Sequence, residues 1–227
     1  MSILVVIPAR SGFRGIPNKN LVDLGGKPLI QYSFETASEL KNIDEIILST
    51  DDLDIIKLAE AYQNIKVPFI RPRYLSKDDS SMVSVVLHLI EKIKNEFEYI
   101  MLLQPTSPFR KVLELNEMIK FATENNHDSV IAVTKVWHHP SEYIYFDEDY
   151  LKFVLDPKDS TRRQNFKDVY FISGAAYIIK SSFLKDEKNF VNSESKIYEL
   201  SDSSMIDIDL PFHLDLARGY NYTTEND

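Results

Sequence analysis

Residues 3–7 read Ile-Leu-Val-Val-Ile, an unbroken apolar run rich in β-branched side chains. A strand without polar alternation has to be covered on both faces, which is the position of a strand inside a parallel sheet. Further short runs of this kind stand at residues 45–49, 66–70, 99–103 and 129–133. Between them lie stretches with helical spacing. Leu29, Tyr32, Ser33 and Thr36 open the first, Ile55, Ile56, Ala59 and Tyr62 mark the second, Met82, Val85, Val86, Leu89, Ile90 and Ile93 trace the third, and Leu115, Met118, Ile119 and Ala122 the fourth. Strand–helix alternation predicts βαβ units with right-handed crossovers, hence an α/β fold on a doubly wound, mostly parallel sheet.

The rhythm breaks at residues 137–170. This stretch is rich in aromatic and charged residues, alternates like antiparallel strands at Tyr143-Ile144-Tyr145-Phe146, and carries Thr161-Arg162-Arg163-Gln164. It is expected as an excursion from a core of residues 1–136 and 171–220. Core patterning resumes at residues 170–179 and ends with Met205-Ile206-Asp207-Ile208-Asp209, read as a strand, and a short helix from Pro211 to about Gly219. Residues 221–227 are polar and expected to fray.

The length of 227 residues suits one large domain with a well-buried core. With 26 Lys+Arg against 35 Asp+Glu, the net charge of −9 argues against nucleic acid as a partner while leaving room for a local basic patch. The absence of cysteine excludes disulfides, thiolate metal sites and cysteine nucleophiles. No stretch approaches the roughly 18 apolar residues of a membrane span, and the N-terminus lacks the basic start of a secretory signal. A cytoplasmic chain is expected.

Directly after the first strand comes Arg10-Ser11-Gly12-Phe13-Arg14-Gly15-Ile16-Pro17-Asn18-Lys19-Asn20. Ligands of open α/β sheets bind beyond the carboxyl ends of strands. Glycines let backbone N–H groups approach phosphate oxygens, and Arg and Lys neutralise them. The loop is neither a Walker A sequence nor a dinucleotide fingerprint; a basic surface loop is the plainer alternative. Asp207 and Asp209, two apart, would project from one face of a strand. Two hard oxygen donors suit Mg²⁺, which keeps several waters and takes one or two carboxylates plus phosphates; two exposed acids at a strand end is again the plainer alternative. Gln104 begins a proline-stiffened loop after the strand at 99–103, and Arg71 and Asp78-Asp79-Ser80-Ser81 occupy polar loops that also start helices. His138-His139 lacks the further His or Cys of a zinc site, and no GxSxG elbow supports a serine triad.

Taken in order, IPARSGFRGIPNKN, GGKPLI at 25–30, STD at 49–51, RP at 71–72, LLQPTSP at 102–108, HHP at 138–140 and MIDID at 205–209 resemble the acylneuraminate cytidylyltransferase family, the CMP-sialic acid and CMP-nonulosonate synthetases. The resemblance spans residues 3–217. It implies a Rossmann-like core and a Mg²⁺-dependent reaction of CTP with a nine-carbon keto-acid sugar to give CMP-sugar and pyrophosphate. It also implies roles. Arg10 and Lys19 would hold the triphosphate and serve catalysis together with Asp209. Ser11, Gly12, Arg14, Asn20, Arg71, Ser80 and Ser81 would complete the nucleotide site, with Arg14 standing where the family commonly has lysine. Gln104, Tyr177 and Phe190 would line the sugar pocket, and Asp207 and Asp209 would bind the metal. The excursion resembles the family's dimerisation arm, which implies a homodimer in which Arg163 reaches the neighbouring sugar site.

Three positions depart from the sialic acid synthetases. Phe171-Ile172-Ser173-Gly174 stands where those enzymes often read Arg-Pro-Asn-Gly, Glu142 where lysine is usual, and Val191 where a second aromatic is usual. A carboxylate deprived of its cationic partner binds less well, so these changes point to a legionaminic- or pseudaminic-type sugar rather than N-acetylneuraminate. The alternatives are 3-deoxy-octulosonate as the sugar, GTP as the nucleotide, or a nucleotide-binding regulatory subunit without catalysis. Arg10, Lys19, Asp207 and Asp209 weigh against the last.

Overall fold

The first strand, β1 (Ile3–Ala9), is buried along its whole length and lies in the interior of the sheet. The computed structural model describes residues 1–12, 15–155 and 168–226. After β1 come the short strands β2 (Asp23–Leu24) and β3 (Lys27–Pro28), helix α1 (Leu29–Glu39), β4 (Glu45–Thr50), α2 (Leu53–Ala59) and β5 (Ile65–Lys66). Next are α3 (Met82–Lys92), β6 (Tyr99–Leu102), α4 (Val112–Glu124), β7 (Ser129–Lys135) and a hairpin of β8 (Ile144–Asp147) and β9 (Tyr150–Phe153). The chain closes with β10 (Tyr170–Lys180), α5 (Ser181–Glu187), β11 (Lys196–Glu199) and α6 (Pro211–Asn226).

The seven-stranded sheet has the order β11-β7-β10-β6-β1-β4-β5. Val6 in β1 lies opposite Ile47 on one side and Leu102 on the other, both in parallel register. Sequence order reverses across β1, and the crevice beyond its carboxyl end is where an open sheet of this kind takes its ligand. β10 alone among these strands runs antiparallel, with Ile178 opposite Met101 and Val130. The sheet is thus mostly parallel, as the sequence pattern predicts.

The uninterrupted apolar run of β1 is divided between two layers. Ile3, Val5 and Ile7 pack into one core with Phe34 of α1, Ile55 of α2 and Met118 of α4. Leu4 and Val6 face a second core with Val86 and Leu89 of α3 and Leu184 of α5. A third apolar cluster joins Ile16 and Leu24 to Ile206, Ile208, Leu214 and Ala217.

Three elements differ from expectation. The strand expected at 66–70 is only β5, because Pro68 has no N–H to give to the ladder. Residues 206–209 are extended but join no sheet; Ile208 N–H donates to the Thr106 carbonyl at 2.8 Å instead. Burial still alternates there, with Ile206 and Ile208 buried and Asp207 and Asp209 partly open. The last helix, expected to stop near Gly219, runs to Asn226. Asn221, expected to begin a frayed tail, is buried and accepts a hydrogen bond from the Tyr32 hydroxyl at 3.2 Å.

Candidate active site

Parallel pairing sets Ala9 beside Thr50, so the residues that follow each strand meet. Ser11 donates its N–H and its hydroxyl to the two carboxylate oxygens of Asp51, at 2.8 and 2.6 Å. Burial alone would raise the Asp51 pKa, but hydrogen bonds, those from Ser11 foremost, together outweigh it and hold the carboxyl below its ordinary range. Arg10 pairs with Asp78 at 2.5 Å, and its carbonyl accepts from Asn20 Nδ2 at 3.1 Å. Asn18 takes a left-handed conformation, φ 49°, and turns the chain into a 3-10 turn at Lys19–Leu21.

That turn carries Lys19 inward to 4% exposure, where Nζ donates to Asp209 Oδ1 at 2.7 Å. Burial pulls the Lys19 pKa down, and the bond to Asp209 partly restores it. Asp207 is the more enclosed of the two acids. Burial raises its pKa against the pull of Thr106 and Lys19, and its Oδ1 is buried without a hydrogen-bond partner. Arg71, 3% exposed, donates to the Ser49 carbonyl and has a buried Nε with no hydrogen-bond partner. Burial lowers its pKa to about 10, offset in part by Asp51.

Arg10, Lys19, Asn20, Arg71, Gln104, Asp207 and Asp209 line one cleft of about 160 Å³ at the carboxyl ends of β1 and β6. Arg10 also borders a wider recess of about 720 Å³ with Ser11, Gly12, Lys77 and Asp78. Together these account for most of the residues the sequence singles out. Ser80 and Ser81 are occupied differently, the first donating to the Tyr74 carbonyl at 2.9 Å and the second capping α3 through Ser84 N–H. Tyr177 and Phe190 stack at 5.5 Å in the layer of α3 and α5. Tyr177 is nonetheless close enough to Asp207 for that carboxylate to add to the rise in pKa caused by its burial. Arg14 and Arg163 lie outside the described residues.

Sequence reading passed over three contributors. Asp51 stood in plain view within Ser-Thr-Asp after β4, but its grip on Ser11 depends on strand pairing. His213 accepts from the Asp209 N–H through Nδ1 at 3.2 Å, a contact made by the helix that follows. Arg110, 8% exposed, has its pKa lowered by burial to about 9; nothing in its spacing marks it as buried. Among the described residues no three His, Cys, Asp or Glu side chains cluster as a metal cage, so Asp207 and Asp209 stand as a pair of oxygen donors.

A family model described as cytidylyltransferase matches residues 4–218. The chain belongs to the cytidylyltransferase family. It is accordingly a nucleotidyltransferase enzyme, as the resemblance of its motifs implies. It is 31% identical to pseudaminic acid cytidylyltransferase of Campylobacter jejuni subsp. jejuni over 96% of this chain and 95% of that protein. It is 34% identical to CMP-N,N'-diacetyllegionaminic acid synthase of Legionella pneumophila over 93% and 92% of the two chains. A solved structure of CMP-2-keto-3-deoxy-manno-octonic acid synthetase complexed with CTP shares the fold, with TM-score 0.73 and 16% identity over 99% of this cytidylyltransferase and all of that chain. No helix among the described residues is long and apolar enough to cross a membrane.

Proposed function

We propose that this chain couples CTP to a nonulosonic acid, releasing pyrophosphate and forming a CMP-sugar for surface glycans, in the cytoplasm where CTP is made. The observation that carries the reading is the convergence of Arg10, Lys19, Asp207 and Asp209 on one cleft. An anionic triphosphate needs such cations, and its transfer chemistry is mostly positioning and charge stabilisation. The sugar's anomeric hydroxyl attacks the α-phosphorus, the bond to pyrophosphate breaks, and the hydroxyl proton leaves toward Asp209, whose side chain is 50% exposed.

The donor set fits Mg²⁺. Asp207 offers a buried oxygen without a hydrogen-bond partner, Asp209 offers a second carboxylate, and triphosphate and water supply the remaining ligands of a Mg²⁺ site. When bound, the ion would neutralise charge on the phosphoryl oxygens. Lys19, which pairs with Asp209 and lines the same cleft, would contribute its positive charge to holding the phosphates. Arg10 exchanges an exposed partner, Asp78, for the triphosphate at small cost, since exposed ion pairs contribute little.

For the sugar, Phe171 and Ile172 are exposed apolar residues at the start of β10, and Glu142 sits 3.7 Å from His138. Neither position supplies a cation, so both depart from the sialic acid synthetases, and the likeness to the pseudaminic and legionaminic acid enzymes supports a 5,7-diamino nonulosonate over N-acetylneuraminate. The hairpin β8–β9 exposes Ile144, Phe146, Leu151 and Phe153. An apolar surface of this kind on a soluble fold is covered by a partner, and a second copy gives the isologous homodimer that the family resemblance implies.

The test is pyrophosphate release with CTP and Mg²⁺ against legionaminate, pseudaminate, N-acetylneuraminate and 3-deoxy-octulosonate, repeated with GTP. Turnover of a diamino nonulosonate with CTP is expected. Turnover of N-acetylneuraminate alone would refute the sugar assignment, and silence throughout would favour a binding-only role.

A further inference from the structure

Arg110 stands near the end of the loop that begins at Gln104, and its side chain is buried rather than lining the cleft. Its Nε donates to the Ala175 carbonyl at 2.8 Å and Nη1 to the Ser33 hydroxyl at 3.1 Å, while Nη2 donates to the Gln104 carbonyl. It makes no ion pair among the described residues; Asp207 acts on it only through space. A buried cation is costly unless its geometry is needed. Here one planar fork serves three acceptors on α1, on the loop after β6 and on β10, an arrangement a lysine ammonium reproduces poorly.

One of these acceptor segments, the loop after β6, forms part of the wall of the cleft, and the β10 segment lies directly against that loop. Gln104 lines the cleft. Ala175 follows Gly174, whose φ of +71° lies within the register shift of β10 between Ile172 and Tyr177. A Cβ on Gly174 would lie 3.9 Å from Gln104 Nε2 and 3.8 Å from Ser107 Oγ. Ser107 in turn donates to the Ser173 carbonyl at 3.4 Å. The loop after β6 and the kink of β10 are therefore laced together from behind, chiefly by the guanidinium.

From this geometry we infer that Arg110 is a positioning residue for the acceptor side of the reaction. It fixes Gln104 and the Gly174 kink against each other and so shapes the sugar subsite, while the nucleotide loop is anchored separately through Ser11 and Asp51. The inference rests on the proposed sugar-nucleotide chemistry for its kinetic consequence and on geometry alone for its structural one.

The experiment uses the full chain with Arg110→Lys and Arg110→Met. Calorimetry reads the affinity for Mg-CTP, steady-state kinetics read KM and kcat for the sugar, and crystal structures of wild type and variants read the positions of Gln104 and Ala175. Affinity for Mg-CTP is expected to stay within about threefold of wild type while KM for the sugar rises about tenfold in the lysine variant and kcat/KM falls about 100-fold in the methionine variant. The Gln104 carbonyl and residues 174–175 are expected to move apart. Equal losses in CTP affinity and sugar KM, or none in either, would overturn the inference, as would unchanged positions of both segments. If the methionine variant does not fold, the lysine variant decides. A wild type that turns over none of the sugars would refute the proposed function, leaving the crystal comparison to decide the role of Arg110.

Discussion

Lys19 Nζ reaches Asp209 Oδ1 across 2.7 Å from 190 residues away in the chain. The ion pair is not the only link between the two segments. The third apolar cluster packs them together, with Ile16 and Leu24 on the side of the cation, Ile206 and Ile208 beside the acids, and Leu214 and Ala217 on α6. Close packing transmits small displacements, so the spacing of the cation and the carboxylate is set by side chains that touch no substrate.

Replacing either member of the pair should separate catalysis from folding. Lys19→Met and Asp209→Asn are each expected to lower turnover by at least about 100-fold, the scale for losing one preorganised charge contact in a transition state, while circular dichroism stays that of wild type. Pyrophosphate release at saturating Mg²⁺ checks this. Near-normal turnover in Asp209→Asn would remove that residue from the mechanism.

The turn at Gly25–Gly26 joins β2 to β3 with both residues at positive φ, 60° and 81°, as a tight hairpin turn requires. A Cβ on Gly25 would lie 2.0 Å from Asn221 Nδ2, whereas one on Gly26 meets nothing within 4 Å. Alanine is strained at either site by about 1 kcal/mol. Thermal denaturation should show a larger loss for Gly25→Ala, and Asn221→Ala should relieve part of that excess. Equal losses at the two glycines would contradict the contact with α6.

Asp51 governs the pH dependence of the nucleotide loop. Its folded pKa lies below the ordinary 3.8 because of hydrogen bonds, those from Ser11 foremost. The stability it contributes is therefore present above the unfolded value and is lost as pH falls through the folded one. The difference in melting temperature between wild type and Asp51→Ala should be constant near neutrality and shrink below about pH 4. A difference that grows on acidification would reverse the assignment.

Much of this could be read from the sequence, for physical reasons. Strands buried on both faces leave unbroken apolar runs, and residues placed at strand ends share a crevice wherever the strands are parallel neighbours; Arg10, Lys19, Asn20, Arg71 and Gln104 follow from those two facts. The pairing of Asp207 with Asp209 also follows, although the segment is no strand, because alternation needs only an extended backbone with one buried face. Arg110 and His213 were not legible: one is a basic residue whose burial depends on three acceptors from distant segments, the other a helix residue whose partner is a backbone N–H. The length of α6 was misread because Asn221 looks like a polar end until Tyr32 meets it.

The hairpin offers a test independent of chemistry. Phe146 and Leu151 are directly opposite across β8 and β9 and both are exposed. Phe146→Asp with Leu151→Asp should convert a dimer to monomers in sedimentation velocity with little loss of melting temperature, since neither side chain packs in a core. A species of unchanged mass would rule the hairpin out as the interface.

The most direct measurement is mass-spectrometric detection of the product formed from CTP and a diamino nonulosonate with Mg²⁺, with pyrophosphate counted in the same reaction. One CMP-linked sugar per pyrophosphate, abolished by chelation and by Asp209→Asn, is the predicted result. Pyrophosphate without a CMP-sugar, or a CMP-sugar formed equally well by Asp209→Asn, would contradict it.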